Sequence, residues 1–595
     1  MPGLRCNISL AVRAAALLVA WPASARAAAQ VPPTAPAEVI SPLPGTPDAN
    51  PHTQISFLGA PASDLRNIVV SGSLSGTHTG HLKFYSTHTG GSFLPSQPFV
   101  AGEKVTVSAQ IDGYGKPVRI GTTFMVSNPV TLSGSDASKH VAATATNVQR
   151  FHSRPDLLPP AVTVTTPAVD PTAGDVFITS DGGAGQAGAM IIAPNAQLVW
   201  FLPTLGRTKA FDLNVQSYRG RPVLTLWQGN VVAGHGQGVD EIYSTNYVHI
   251  ATVHAGNGLW ADLHDFVLTP QGTAWITAFA PEHMDLSAYG GSARSVIEDG
   301  VIQEIDVKTG LVMYDWHALG HVAVSDTYAP IPHLPGDLLD YFHVNSIDPL
   351  TNGTVLISSR NTWATYLINE ANGNIVWALG GKKSTFTLGP GVTFAWQHDA
   401  ELLPDGALTL FDNADSPPEA QESSALTIAL DPSTSTATLV SRVTHPDTPI
   451  LSNSQGDLQQ LPNGDSFVGW GDVPDASEFS PGDQLTFDLH LASTTSYRAY
   501  RYPWSAQPPS IPAIAASADG RQTQVYASWN GATDVAAWQV LAGPSRGALT
   551  PIGTYPDTGF ETALLAPTAA PYVSVQALSA TGTVLATSHA IAPSH

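Results

Sequence analysis

Beyond residue 6 the chain has no cysteine; Cys6 is the only one. It falls in a leader of the kind removed on export, so the mature chain is expected to have no thiol. Disulfides, thiol catalysis and cysteine-bound zinc are thereby excluded. Basic residues are also scarce, with 25 Lys and Arg against 47 Asp and Glu and a formal net charge of -22. Such a chain lacks the basic face that nucleic acid or an anionic membrane requires. The apolar run at residues 14–21 is far short of the ~20 residues that cross a bilayer, and no later stretch reads as a span. Charged residues make up only 12% of the chain, which with 52 Gly and 48 Pro favours many short strands over long helices. Motifs are missing too: there is no Gly-x-Ser-x-Gly elbow, no His-Glu-x-x-His, and no Gly-x-Gly-x-x-Gly opening a helix. Gly380-Gly-Lys-Lys-Ser384 lacks the earlier glycine of a phosphate loop and is not a nucleotide site.

What is present divides the chain. Residues 1–29 carry Arg5 and Arg13, the apolar run, and small-residue cleavage options at Ala23-Ser-Ala25 or Ala27-Ala-Ala29, as a signal peptide does. The protein is therefore expected to be exported, periplasmic or extracellular. Residues 30–50, rich in Pro, Ala and Thr, read as a flexible leader. Short β-type runs over residues 51–160 predict an N-terminal β-sandwich. Its histidines, in Thr77-His-Thr-Gly-His-Leu82 and at His88, have no carboxylate at ligand spacing and read as turn and edge residues. A Pro-rich stretch, 505–512, is a linker. Residues 513–595 alternate apolar and polar positions and read as a fibronectin type III-like sandwich.

Between them, residues 161–504 repeat. Units at 174–203, 211–254, 263–319, 342–381, 396–444 and 455–502 each show strand, Gly-containing turn, strand and a second hairpin. Six such units predict a six-bladed β-propeller, making the whole chain all-β. The recurrent aromatics Trp200, Tyr314 and Trp377 read as packing between units. Asn352-Gly353-Thr354 matches a glycosylation acceptor but reads first as a type I′ hairpin turn.

Three units place a histidine at the same point of an inner strand: His264, His343 and His398. Equivalent positions of a closed repeat converge on one axis. In a regular strand Asn345 shares a face with His343, whereas Asp265 and Asp399 point away from their own histidines and are free to hold a neighbouring unit. Arg360 ends the second strand of the His343 unit, where the next unit has Asp412-Asn413. One histidine at a strand start most often only satisfies a hydrogen bond. Three in register, with Asn345 and Arg360 beside them, point to a shared guest. Three histidines suit a metal, but Arg360 is an unhelpful neighbour for a cation and a good one for a sulfate or phosphate.

Asp340-Tyr-Phe-His-Val-Asn-Ser-Ile-Asp348, Ser358-Ser-Arg360, Ile375-Val-Trp-Ala-Leu-Gly-Gly-Lys382, Trp396-Gln-His-Asp-Ala400, Leu410-Phe-Asp-Asn-Ala414 and Asp262-Leu-His-Asp-Phe266 together resemble the arylsulfotransferase family of bacterial exported propellers. The resemblance spans roughly residues 170–500. It implies transfer of a sulfuryl group from an aryl sulfate donor to a phenolic acceptor through a histidine, with no nucleotide donor, cofactor or metal. The nucleophile it implies is His398, with sulfate-binding and proton-handling roles on His264, His343, Asn345 and Arg360. Either His264 or His343 suits the proton transfers. Enterobacterial relatives have a disulfide that this chain cannot form, and the C-terminal sandwich is an addition. Two other readings stay open on residues alone: a non-catalytic propeller that binds an anionic glycan, and a metal-dependent enzyme using the three histidines.

Overall fold

The computed structural model describes residues 38–112, 117–138, 140–446 and 449–595. The expected signal peptide, Cys6 and the start of the leader lie outside them. The described residues are all-β: strands and short 3-10 turns with no α-helix, and no helix long and apolar enough to cross a membrane.

Six sheets fill residues 162–502. Sheet 2 joins Lys209–Tyr218, Arg221–Val232, His235–Ser244 and His249–Val253; sheet 3 joins Phe266–Leu268, Thr273–Met284, Ser295–Asp306 and Leu311–His317, with Leu338–Asp340 added in parallel. Sheet 4 runs from Val344–Leu350 to Ile375–Gly380, and sheet 5 from His398–Leu402 to Thr436–Val443. Sheets 1 and 6 depart from the units expected. Ala499–Tyr502 leaves the last unit and pairs antiparallel with Asp175–Ser180 of the first, while Val162–Thr166 joins the outer edge of sheet 6 on Leu485–Leu491. The physical reason is edge closure: 174–203 supplies only three strands, and the end of the last unit covers the free edge of Asp175–Ser180. Leading strands of successive sheets touch in cyclic order, from Lys209–Tyr218 round to Asp457–Gln460 and back through Ala499–Tyr502.

Because each sheet is covered on both faces by its neighbours, its inner strands are largely buried, and Gly188–Ile192 is buried at every position. The outermost strand of sheet 3, Leu311–His317, is also buried at every position, under the N-terminal sheets. Trp200 packs between units as expected, stacking on Tyr247 of sheet 2 at 4.6 Å, whereas Tyr314 meets Trp275 of its own sheet at 5.5 Å. By contrast Lys104–Ile111, in the sheets before the ring, alternates exposed and buried residues, as a strand covered on one face does. Those two N-terminal sheets share one apolar core. They rest on Leu311–His317, where Ser56, Tyr85 and Ser92 hydroxyls all donate to the Val312 carbonyl.

Two further expectations are corrected. The described part of the leader is ordered: Val39–Ser41 forms a strand, and Val39, Ile40 and Leu43 are buried, apolar anchors that the surrounding prolines obscured. The hairpin at Asn352-Gly353 is not type I′, since only Gly353 has positive φ (78°) and Leu350 pairs with Thr354 around a three-residue loop. The N-terminal histidines stay apart from any carboxylate cluster, with His78 bound to Ser75 Oγ at 2.7 Å. Residues 513–588 form sheets of three and four strands around a second apolar core. Asn530 of that part exchanges two 2.9 Å hydrogen bonds with the Phe201 backbone.

Candidate active site

The leading strands of sheets 3, 4 and 5 bring the three histidines together. One ring nitrogen from each of His264, His343 and His398 lies within 4.8 Å of the other two, and the Tyr497 ring stands 5.7 Å from His264 and 6.4 Å from His398. Each Nδ1 is already engaged. His264 Nδ1 is 2.5 Å from Asp262 Oδ2, His343 Nδ1 is 2.5 Å from Asp340 Oδ2, and His398 Nδ1 is 2.7 Å from Asn413 Oδ1. The Asn413 amide nitrogen donates to the carbonyls of Ser452 and Gln455, which fixes its oxygen towards His398. Since an amide oxygen only accepts, His398 carries its proton on Nδ1 and leaves Nε2 with a lone pair. The Gln455 N–H donates to that Nε2 at 3.2 Å.

Local backbone explains these placements. Asp262 can approach because Gly236 faces it: a Cβ there would meet the Leu263 nitrogen at 2.5 Å, and the Gly236 N–H instead donates to Asp262 Oδ1 at 2.5 Å. His343 has φ 56°, and the ladder to the next strand skips from Val344 to Ser346, so Asn345 is the extra residue of a bulge. The shared strand face expected for His343 and Asn345 therefore does not exist. Asn345 reaches the next sheet, where Nδ2 donates to the Gln397 carbonyl at 2.8 Å and Oδ1 is buried without a partner. It thus lies beside His398 through the preceding peptide. Asp265 and Asp399 point away from the histidines and accept from the N–H groups of Ile347 and Leu458 in the following sheets. Both also face Arg498, at 3.2 and 3.3 Å.

Arg360 follows Thr354–Ser359, and its N–H donates to the His343 carbonyl at 3.0 Å. Its guanidinium lies over the Trp396 ring at 5.0 Å and donates to Asn361 Oδ1 and the Asn453 carbonyl. Among the described residues it has no carboxylate partner. Burial, with Arg360 and His343 nearby, holds His398 well below the ordinary histidine range. Burial also brings His343 down to about 3 against the pull of Asp340. Burial would raise Asp262, but His264 and His235 bring it down to about 2. His343 and His398 are thus held neutral beside the fixed Arg360 cation.

The sequence missed a fourth histidine. Ala233 and Gly234, both with positive φ, turn a long hairpin whose tip is His235. Its ring lies 4.8 Å from that of His343, and its Nε2 is 3.1 Å from Glu298 and 3.3 Å from Asp340, which are register partners on adjacent strands. Burial opposes its charge, yet Glu298 and Asp340 raise it well above the usual value. A cavity of about 300 Å³, walled in part by Leu132, Trp260 and Phe279, opens against His235 and Glu298. Asp262, Asp340 and Asn413 were also unassigned; an acid two or three residues before each of the first two histidines was the signal for two of them.

No curated protein matches the chain. Among solved structures, a Bacteroides caccae protein of unknown function is 13% identical over 55% of this chain and 98% of its own, with a TM-score of 0.33. A catalytically inactive virginiamycin B lyase from Staphylococcus aureus, solved with quinupristin, is 12% identical over 61% and 94%, at 0.29. Kuenenia stuttgartiensis hydrazine synthase is 11% identical over 62% and 94%, also at 0.29. Likenesses this slight carry no argument. Residues 214–492, which include all three histidines and Arg360, match the sequence model of a family described as arylsulfotransferase (ASST).

Proposed function

We propose, from the premise that residues 214–492 belong to the arylsulfotransferase family, that the protein moves a sulfuryl group from an aryl sulfate to a second phenol through His398, without a nucleotide. The observation that carries the reading is the His398 imidazole, kept neutral beside Arg360 with Nδ1 bound to Asn413 and Nε2 left as the nucleophile. In the first step the Nε2 lone pair attacks sulfur in line, an N–S bond forms, and the bond from sulfur to the phenolic oxygen breaks. The departing phenolate takes a proton from a neighbouring histidine in its imidazolium form, which is left as the neutral imidazole. In the second step that imidazole takes the proton of the acceptor phenol, whose oxygen attacks sulfur as the N–S bond breaks. Arg360 and the second N–H of the Asn345 amide, whose first goes to the Gln397 carbonyl, hold the sulfuryl oxygens, where one donor contributes about 3 to 4 kcal/mol to the transition state. Asp262 and Asp340 fix the tautomers of His264 and His343, the two candidates for the proton transfers. The Gln455 N–H gives up Nε2 when that nitrogen takes sulfur. The cavity against His235 has room for one substituted phenyl ring.

The same proposal reads the six sheets as blades of a six-bladed propeller spanning 161–504, supported by the cyclic contacts of their leading strands. It takes 51–160 and 513–595 as flanking sandwiches, the latter fibronectin type III-like, and residues 1–29 as an export signal. The test is mass spectrometry of enzyme quenched after mixing with an aryl sulfate. A sulfuryl adduct on His398 is expected; no adduct, with transfer intact in His398→Ala, would sink the mechanism. Product analysis with and without added phenol separates transfer from hydrolysis.

A metal-dependent reaction is the second reading, favoured by the spacing of the three histidines and by the carboxylates behind two of them. Protein dialysed against a chelator keeps its transfer activity under the first reading. Activity that returns only with added metal would replace it with the second.

A further inference from the structure

A second cluster of histidine and carboxylates lies outside the proposed active site, where the N-terminal sheets rest on sheet 3. His317 ends the strand Leu311–His317 and is 3% exposed, while Asp48, Asp299 and Asp315 around it are at most 1% exposed. Its Nδ1 lies 3.0 Å from Asp48 Oδ2 and 3.1 Å from Asp299 Oδ2, and one ligand atom from each of these three residues is within 4.8 Å of the others. No Lys or Arg among the described residues pairs with any of the three carboxylates. Among the described residues Asp48 Oδ1 is buried with no hydrogen-bond partner. Three buried carboxylates around one imidazole leave negative charge that burial penalises unless protons or a cation offset it.

We propose that Asp48, Asp299 and His317 bind one zinc ion, which ties the segment between Val39–Ser41 and Ile55–Leu58 of the N-terminal sheets to sheet 3. Ligand atoms about 3 Å apart are those that share an ion at metal bonds of about 2.0–2.2 Å. The surroundings are those of a metal-bound imidazole, whose second nitrogen faces a carboxylate. His317 Nε2 is 3.6 Å from Asp315 Oδ2, and Asp315 is held by the amides of Asn257 at 2.6 Å and Gln303 at 3.2 Å. Asp299 is oriented likewise, with Oδ1 accepting the Leu319 N–H at 2.8 Å and Oδ2 turned to the site. The unpartnered Asp48 Oδ1, or a water, takes the fourth position. Mixed imidazole and carboxylate donors in this number select zinc; calcium takes six to eight oxygens. The two ligand carboxylates neutralise its charge.

The experiment uses the full chain, dialysed against a chelator and titrated with zinc alone in competition with a chromophoric chelator. One tight equivalent is expected, weakened about 100-fold or more in Asp48→Asn and unchanged in His398→Ala. X-ray absorption at the zinc edge of the loaded wild-type protein needs no variant to fold, and should show one imidazole with oxygen ligands. A shell of three imidazoles, zinc lost in His398→Ala but retained in Asp48→Asn, or no tight binding would each overturn the proposal.

Discussion

The two histidine clusters are built from the same side chains and are left with opposite needs. At His264, His343 and His398 each Nδ1 has one partner, two of them carboxylates and one an amide, and Arg360 adds a positive charge with no carboxylate in ion-pair contact among the described residues. At His317 one imidazole faces Asp48, Asp299 and Asp315, with no Lys or Arg paired to them among the described residues. The guest therefore follows from the charge left over and the nitrogens left free, more than from the residue types. The first arrangement suits an oxyanion and the second a cation.

The sharpest way to break this comparison is to mutate one member of each cluster and assay both functions. His398→Ala should lower kcat for sulfuryl transfer by about 10⁴-fold or more, while Asp48→Asn should leave it within about threefold, since the two clusters share no residue. Equal losses would mean that both substitutions act through folding. A third site tests the charge argument itself. Arg498 is buried among Asp212, Asp265 and Asp399, a carboxylate trio with its cation built in. Arg498→Met should destabilise the protein by about 3 to 5 kcal/mol in denaturant unfolding, because it strands buried charge. A change below about 1 kcal/mol would show that such trios need no cation and would weaken the case for zinc. Arg360→Lys keeps the charge but loses the paired donors, so kcat should fall by about 10²- to 10³-fold. Asn413→Ala removes the oxygen that holds the His398 proton on Nδ1, and a loss of about 10- to 100-fold in kcat with little change in KM is expected.

Much of the site was legible because it repeats. His264, His343 and His398 occupy one register position in three units, and Arg360 ends the strand beside one of them, so convergence followed from periodicity alone. What breaks the period was not legible. His235 sits at a hairpin tip of another unit, out of register, and reaches the cluster only because that hairpin is long. Asn345 was assigned its neighbour from a regular strand, but the left-handed His343 and the bulge turn it towards Gln397. The closing strand Ala499–Tyr502 is like any other in composition, and only the unpaired edge of Asp175–Ser180 reveals its place. Asp48 and His317 are 269 residues apart and share no motif, which is why the second cluster appears only in three dimensions.

The smallest expected effect is a pH profile that stays level. Attack requires the Nε2 lone pair of His398, so protonation of that ring abolishes the first step. An ordinary imidazole would lose activity as pH falls through about 6.5. Burial, then Arg360, then His343 hold His398 well below that value, so the neutral form persists and kcat/KM for the donor should remain flat between about pH 8 and 6. The acid limb then lies lower, displaced by the same neighbours that shape the oxyanion site. Arg360→Met removes the second-largest cause and leaves burial in place, so the limb should move only part of the way back towards neutral. A wild-type limb centred near 6.5 would mean that Arg360 and His398 do not feel each other, and the cationic half of the comparison between the clusters would fail with it.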